Sequence, residues 1–118
     1  MKKVVSVLLA VLMLCSLTLV AFAATMRFSV IDHTHASATT TLIHGTLGTR
    51  RTASLKITAQ VYKYSSAADD YMRSVKFTET ATNSDFLDLS ENYNLNVNDK
   101  VVFTFTADGE TYTETCYV

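Results

Sequence analysis

The chain of 118 residues has no proline, no tryptophan, three glycines and two cysteines. With so little Pro and Gly, no linker of low complexity divides the chain, and no internal repeat is visible. The missing tryptophan weakens a sugar-stacking reading. Basic charge is not in excess either: the formal net charge is −1, and it falls to −3 once Lys2 and Lys3 are removed with the leader described below. Such a balance argues against a nucleic-acid or anionic-membrane binder. The motifs of common enzymes are absent as well, with no G-x-S-x-G, H-E-x-x-H, phosphate loop or paired-cysteine metal motif. The expectation is a protein that is not an enzyme and carries no cofactor.

The N-terminus reads as a leader. Lys2 and Lys3 precede an apolar run over residues 4–20, and Ala21-Phe22-Ala23 is a small-x-small processing site. The run is long enough for a retained anchor helix. Ser6, Ser16, Thr18 and the processing site favour cleavage after Ala23. Cys15 follows Leu14, where a lipid-attachment cysteine needs a small residue, so lipidation is not expected. The expected organisation is a signal peptide over residues 1–23 and one domain over 24–118, secreted and free of the membrane. Only Cys116 then remains, which rules out an internal disulfide. It is either a small buried side chain of the last strand, the preferred reading, or the site of a bridge between chains.

The strongest pattern lies in residues 53–64, A-S-L-K-I-T-A-Q-V-Y-K-Y. Ala53, Leu55, Ile57, Ala59 and Val61 alternate with Ser54, Lys56, Thr58 and Gln60, the period of a strand with one buried face. Tyr62 and Tyr64 share the outward face beyond them, while Lys63 falls on the inward one. Residues 25–32 read as a first strand, His33-Thr34 as a connector, 36–44 as a second strand, and Gly45-Thr46-Leu47-Gly48 as a turn. Residues 65–70 form a polar tip. Residues 71–80 return as a strand with Tyr71, Val75 and Phe77 on one side, and a slip between Arg73 and Val75 points to a bulge near Ser74 or an edge position. Residues 81–84 connect to 85–90, which fits a short strand or a helical turn. Asn92 to Asn98 alternates Tyr93, Leu95 and Val97 with asparagines. A calcium loop there would need Gly and Glu where Val97 and Phe103 stand, so a strand is expected.

Val101, Phe103, Phe105 and Ala107 face inward on a further strand, and Asp108-Gly109 is a two-residue hairpin turn. That turn sets Phe103 opposite Glu114, so either Glu114 lies at an exposed edge or the loop is one residue longer. The fold expected is all-β, an immunoglobulin-like antiparallel β-sandwich of about seven strands.

Residues 95–107, L-N-V-N-D-K-V-V-F-T-F-T-A, resemble the corner between the fifth and sixth strands of fibronectin type III-like domains. In layout the chain is similar to small single-domain secreted proteins of Gram-positive bacteria, with a lysine-started leader, Gln60-Val61-Tyr62 ending a strand, and a C-terminal hairpin. The resemblance implies a fold and an export route, and no activity.

Three sets of side chains are candidates for sites. His33 and His35, with Asp32 and His44 nearby, form the only metal-like set, but with no third ligand fixed by spacing the preferred reading is two exposed histidines flanking a turn, and no metal is expected. Asp85, Asp88 and Glu91, with Asp69 and Asp70 on the other loop, are acids that could hold calcium but are more simply surface charge. Tyr62, Tyr64 and Tyr71, with Lys56 and Lys63, are the binding candidates, against the plainer reading of aromatics covering a sheet. The partner would be an unidentified protein or glycan at the cell surface. Charge also segregates: residues 24–78 hold seven Lys/Arg and three acids, 79–118 one Lys and eight acids. Neighbouring strands compensating one another explain this, and self-association head to tail is the alternative.

Overall fold

The computed structural model describes residues 29–118. The expected leader, its expected processing site and the start of the first expected strand lie outside the described residues. Five strands form one antiparallel sheet: β1 (Ile31–Ala38), β2 (Leu42–Ser65), β3 (Asp70–Asn92), β4 (Lys100–Ala107) and β5 (Glu110–Tyr117). The order is β1-β2-β4-β5, with β3 along the other side of β2. Among the described residues no helix is long and apolar enough to cross a membrane.

Five strands replace the seven expected because β2 and β3 each absorb segments that read as separate. The first half of β2 pairs with β1 and with the end of β3, and its second half pairs with β4 and the start of β3. Between the halves, the partner of β3 jumps from Gly48 to Ala53, while β3 carries an extra residue near Asn83, held at φ 51°. The sheet turns a corner there and curls into a half-barrel. Its inner face is lined by Ile43, Leu47, Leu55, Ile57, Val61, Leu89, Val101, Phe103 and Phe105, all buried.

Residues 45–48 are not a turn. Gly45 is a strand residue whose missing side chain makes room for the Phe103 ring: a Cβ would lie 3.1 Å from it and 3.5 Å from Ile57 Cγ2. His33 and Thr34 are likewise part of β1, paired with Gly48 and Leu47, and the connection to β2 comes later, at residues 39–41. Residues 81–84 continue β3 instead of leaving it, and 85–90 are strand. The alternation at 92–98 ends in coil. Leu95 is buried there, Val97 is 68% exposed, and Asn98 is left-handed at φ 79°.

The C-terminal hairpin keeps the expected register, Ala107 opposite Glu110 and Phe103 opposite Glu114. Asp108 and Gly109 both have positive φ, 45° and 87°, as a type I′ turn requires. Glu114 is tolerated because β5 is an edge strand, paired with β4 alone, which leaves that side chain half-buried.

Glu110 closes the curl. Its carboxylate accepts hydrogen bonds from the backbone N–H groups of Ser29 (2.7 Å), Val30 (2.9 Å) and Ile31 (3.0 Å) and from the Ser29 hydroxyl (2.7 Å). The Ile31 N–H is the strongest influence and, with the Ser29 and Val30 donors, lowers the carboxyl pKa from 4.5 to about 2 against the opposing effect of burial. A depressed folded-state pKa means that the unfolded chain binds the proton more readily, so this stabilisation is complete above pH 4.5 and fades as pH falls towards 2. Urea midpoints measured across that window should fall with pH, and Glu110→Gln should flatten the dependence. A variant as acid-sensitive as the parent would show that the clasp contributes nothing.

Candidate functional site

The second half of β2, with β3, β4 and β5 beside it, presents an outer face to solvent. The even-numbered residues of β2 point outward, opposite the buried Ile57, Ala59 and Val61. At the far end of this face Tyr62 and Tyr64 emerge. The bulge at Ser74 and Val75, opposite Val61, shifts β3 by one residue. Tyr71 therefore leaves the side of Phe77 and pairs with Tyr64, correcting the shared face expected for Tyr71, Val75 and Phe77. The Tyr64 and Tyr71 rings are 5.4 Å apart. The Lys100 ammonium, brought opposite Tyr62 by β4, lies 5.3 Å from the Tyr62 ring and 4.2 Å from the Tyr71 ring. The Tyr64 hydroxyl donates to Asp69 at 2.6 Å, and this bond, with burial, raises its pKa.

Lys63 points the opposite way. Its ammonium donates to Asp99 Oδ2 at 3.1 Å and to the Asn94 carbonyl at 3.0 Å, and lies 5.4 Å from the Tyr93 ring. Asp99 is 1% exposed and also accepts the N–H groups of Tyr64 (2.9 Å) and Asn96 (2.8 Å). Burial alone would raise its pKa, but the Asn96 and Tyr64 N–H groups and the Lys63 charge outweigh burial and lower it. Lys63 thus belongs to the ties that hold the loop before β4. Lys56 does share the tyrosine face, six residues and about 20 Å along the strand from Tyr62. Reading the sequence alone misses Lys100 as a member of the cluster. Its signal is a pairing that follows only once β4 is laid antiparallel to β2.

The remaining candidates take up local partners. The His33 ring covers Gly48 and its Nδ1 lies 3.2 Å from Asp32 Oδ2. His35 packs edge-on against His44 at 5.9 Å, and His44 Nε2 lies 2.7 Å from Asp88 Oδ1. Among the described residues no three His, Cys, Asp or Glu side chains converge as a metal site would require. Asp85, Asp88 and Glu91 lie along β3, away from Asp69 and Asp70 at the tip. Cys116 is half-buried, its thiol pKa raised by burial and by Glu114. An open depression of about 570 Å³ is lined by Thr41, Asn92, Tyr93 and Asn94, and it gathers no charged side chain.

No protein family's sequence model matches the chain, and no curated protein aligns with it. Among solved structures, the chain is similar to catalytic inactive OgpA from Akkermansia muciniphila, determined in complex with an O-glycopeptide (glycodrosocin) substrate. The identity is 14% and the TM-score 0.38, over 75% of this chain and 28% of that one. The chain thus spans little more than a quarter of that protein's length.

Proposed function

We propose that the protein is secreted and acts as a non-enzymatic binding module, contacting a protein or glycan at the cell surface through the outer face that ends in Tyr62, Tyr64 and Tyr71. The observation that carries this reading is the cluster itself: three half-buried rings on a solvent-facing sheet, two of them beneath the Lys100 ammonium. Such rings offer flat apolar area together with hydroxyl tips, the combination that recognition surfaces use. The raised pKa of Cys116 disfavours the thiolate, which supports a non-catalytic role for the remaining cysteine. The same reading extends to the fold. Cut at the corner, β2 and β3 give seven segments in layers of three and four strands, which supports an immunoglobulin-like β-sandwich.

Labelled protein applied to intact cells and measured by flow cytometry tests the reading. The Tyr62→Ala, Tyr71→Ala double variant is expected to bind at least about tenfold more weakly while retaining its melting temperature. Equal binding by parent and variant would remove the tyrosine face from consideration.

A second reading, self-association as a structural surface protein, is favoured by the edges. β3 and β5 flank the four-strand layer, each pairs with one neighbour, and they run antiparallel to each other. A copy translated along the sheet would lay its β3 against β5 in antiparallel fashion. Size-exclusion chromatography at low and high salt, with and without reductant, decides it. A monomer under every condition eliminates the second reading.

A further inference from the structure

Seven cationic side chains lie among the described residues. Three meet carboxylates: Arg50 with Asp32 at 3.6 Å, Arg51 with Asp108 at 2.9 Å and Lys63 with Asp99 at 3.1 Å. The other four, Lys56, Arg73, Lys76 and Lys100, stand on one surface, the outer face of the layer β3-β2-β4-β5. Lys56 is an outward residue of β2, and Lys76, Arg73 and Lys100 pair with the outward Gln60 and Tyr62. No described Asp or Glu within these strand pairings shares that face. Glu79, Glu110 and Glu114 sit opposite Ile57, Ala107 and Phe103, on the inner side. The acids at its two ends, Asp69 and Asp108, are engaged by Tyr64 and by Arg51.

Between the cations the face is a grid of hydroxyl groups. Across the four strands one row reads Thr78, Thr58, Thr104, Thr113. The next reads Thr80, Lys56, Thr106, Thr111. On the other side, beyond a row that includes Val102, lies Arg73, Tyr62, Lys100, Tyr117. Neighbouring positions in a row are separated by one strand spacing, about 4.8 Å, comparable to the length of one sugar ring in an extended polysaccharide.

We propose that this face binds an anionic, hydroxyl-rich polysaccharide, one whose sugars carry carboxylates. The inference rests on the binding-module reading and names the ligand class of its site. These four cations, none of them held by a carboxylate among the described residues, neutralise the ligand's carboxylates, the threonines exchange hydrogen bonds with sugar hydroxyls, and Tyr62 and Tyr117 supply flat rings at one end. A protein partner fits less well, because Val102 is the single aliphatic side chain of the four rows and interface centres are apolar. A nucleic-acid duplex carries one charge per about 1.7 Å, a far denser array than these separated cations match.

The test titrates the protein with polygalacturonate, neutral dextran, polyglutamate and duplex DNA by isothermal calorimetry, at low and raised salt. Polygalacturonate should bind, weaken with salt and exceed the other three. Lys56→Ser with Lys76→Ser should lower its affinity about tenfold and flatten the salt dependence, since each cation removed releases fewer counterions. Both side chains are solvent-facing, and an unchanged melting temperature would confirm that the variant folds. Dextran bound as tightly, or a double variant with parental affinity, overturns the anionic ligand class and leaves a neutral-glycan module standing. Polyglutamate or DNA bound as tightly overturns the polysaccharide in favour of general polyanion binding. If none of the four binds, the inference fails, and the cell-binding experiment above decides separately whether the face binds anything at all.

Discussion

Asp99→Ala is expected to destabilise the protein by about 3–5 kcal/mol. The carboxylate is 1% exposed, and three donors converge on its two oxygens: the Tyr64 and Asn96 N–H groups and the Lys63 ammonium. Alanine leaves two backbone donors without partners. Lys63 is about a third exposed and can turn towards water, so the cost comes mainly from the orphaned N–H groups. Asparagine keeps the shape but not the chemistry. It has one acceptor oxygen, and in either orientation its NH₂ confronts a donor, so Asp99→Asn should recover only part of the loss. Urea denaturation of both variants beside the parent measures this. A loss below about 1 kcal/mol for alanine would mean that the loop is held by Leu95 and its backbone bonds alone.

Ile57→Ala should cost about 2–5 kcal/mol, towards the upper end of that range. Ile57 is fully buried at the middle of β2, flanked by Phe105 on β4 and Glu79 on β3. Across the core its Cγ2 faces Gly45, which has no side chain to move into the space. Thr58→Ala, one residue on, removes a half-buried side chain of the outer face between Thr78 and Thr104 and should cost well under half as much. Denaturation curves of the two variants compare the faces directly. If Thr58 proves the more damaging position, the outer face is not the solvated one, and the hydroxyl grid is not a binding surface.

Strong local signals carried across from sequence to structure. The alternation from Ala53 to Val61, the inward set from Val101 to Ala107 and the Asp108-Gly109 turn each state their geometry within a few residues. What failed were inferences from local signals that a distant partner overrules. Gly45 reads as a turn until Phe103 is seen to occupy the space above it. The alternation from Asn92 to Asn98 reads as a strand until the buried Asp99 draws in the Asn96 and Tyr64 backbones. The tyrosine pair was legible, but Lys100 beside it depends on a pairing between residues 38 positions apart in the chain. Net charge is blind to this arrangement for the same reason. It counts acids that are engaged at clasps and turns, among them Glu110, Asp99 and Asp108, and so hides a face that carries cations alone.

The unequal separation of the sheet's partners has a kinetic consequence. β2 and β3 meet across a four-residue loop, and β4 and β5 across two residues, so both hairpins can close on the microsecond scale on their own. The β2–β4 ladder is different, because it joins the two hairpins only after the long β3 has been laid down on the other side of β2. Docking one preformed hairpin on the other should therefore limit the refolding rate. Substitutions at that seam, such as those at Ala59 and Phe103, should slow folding, whereas changes confined to β5 should act mainly on the rate of unfolding.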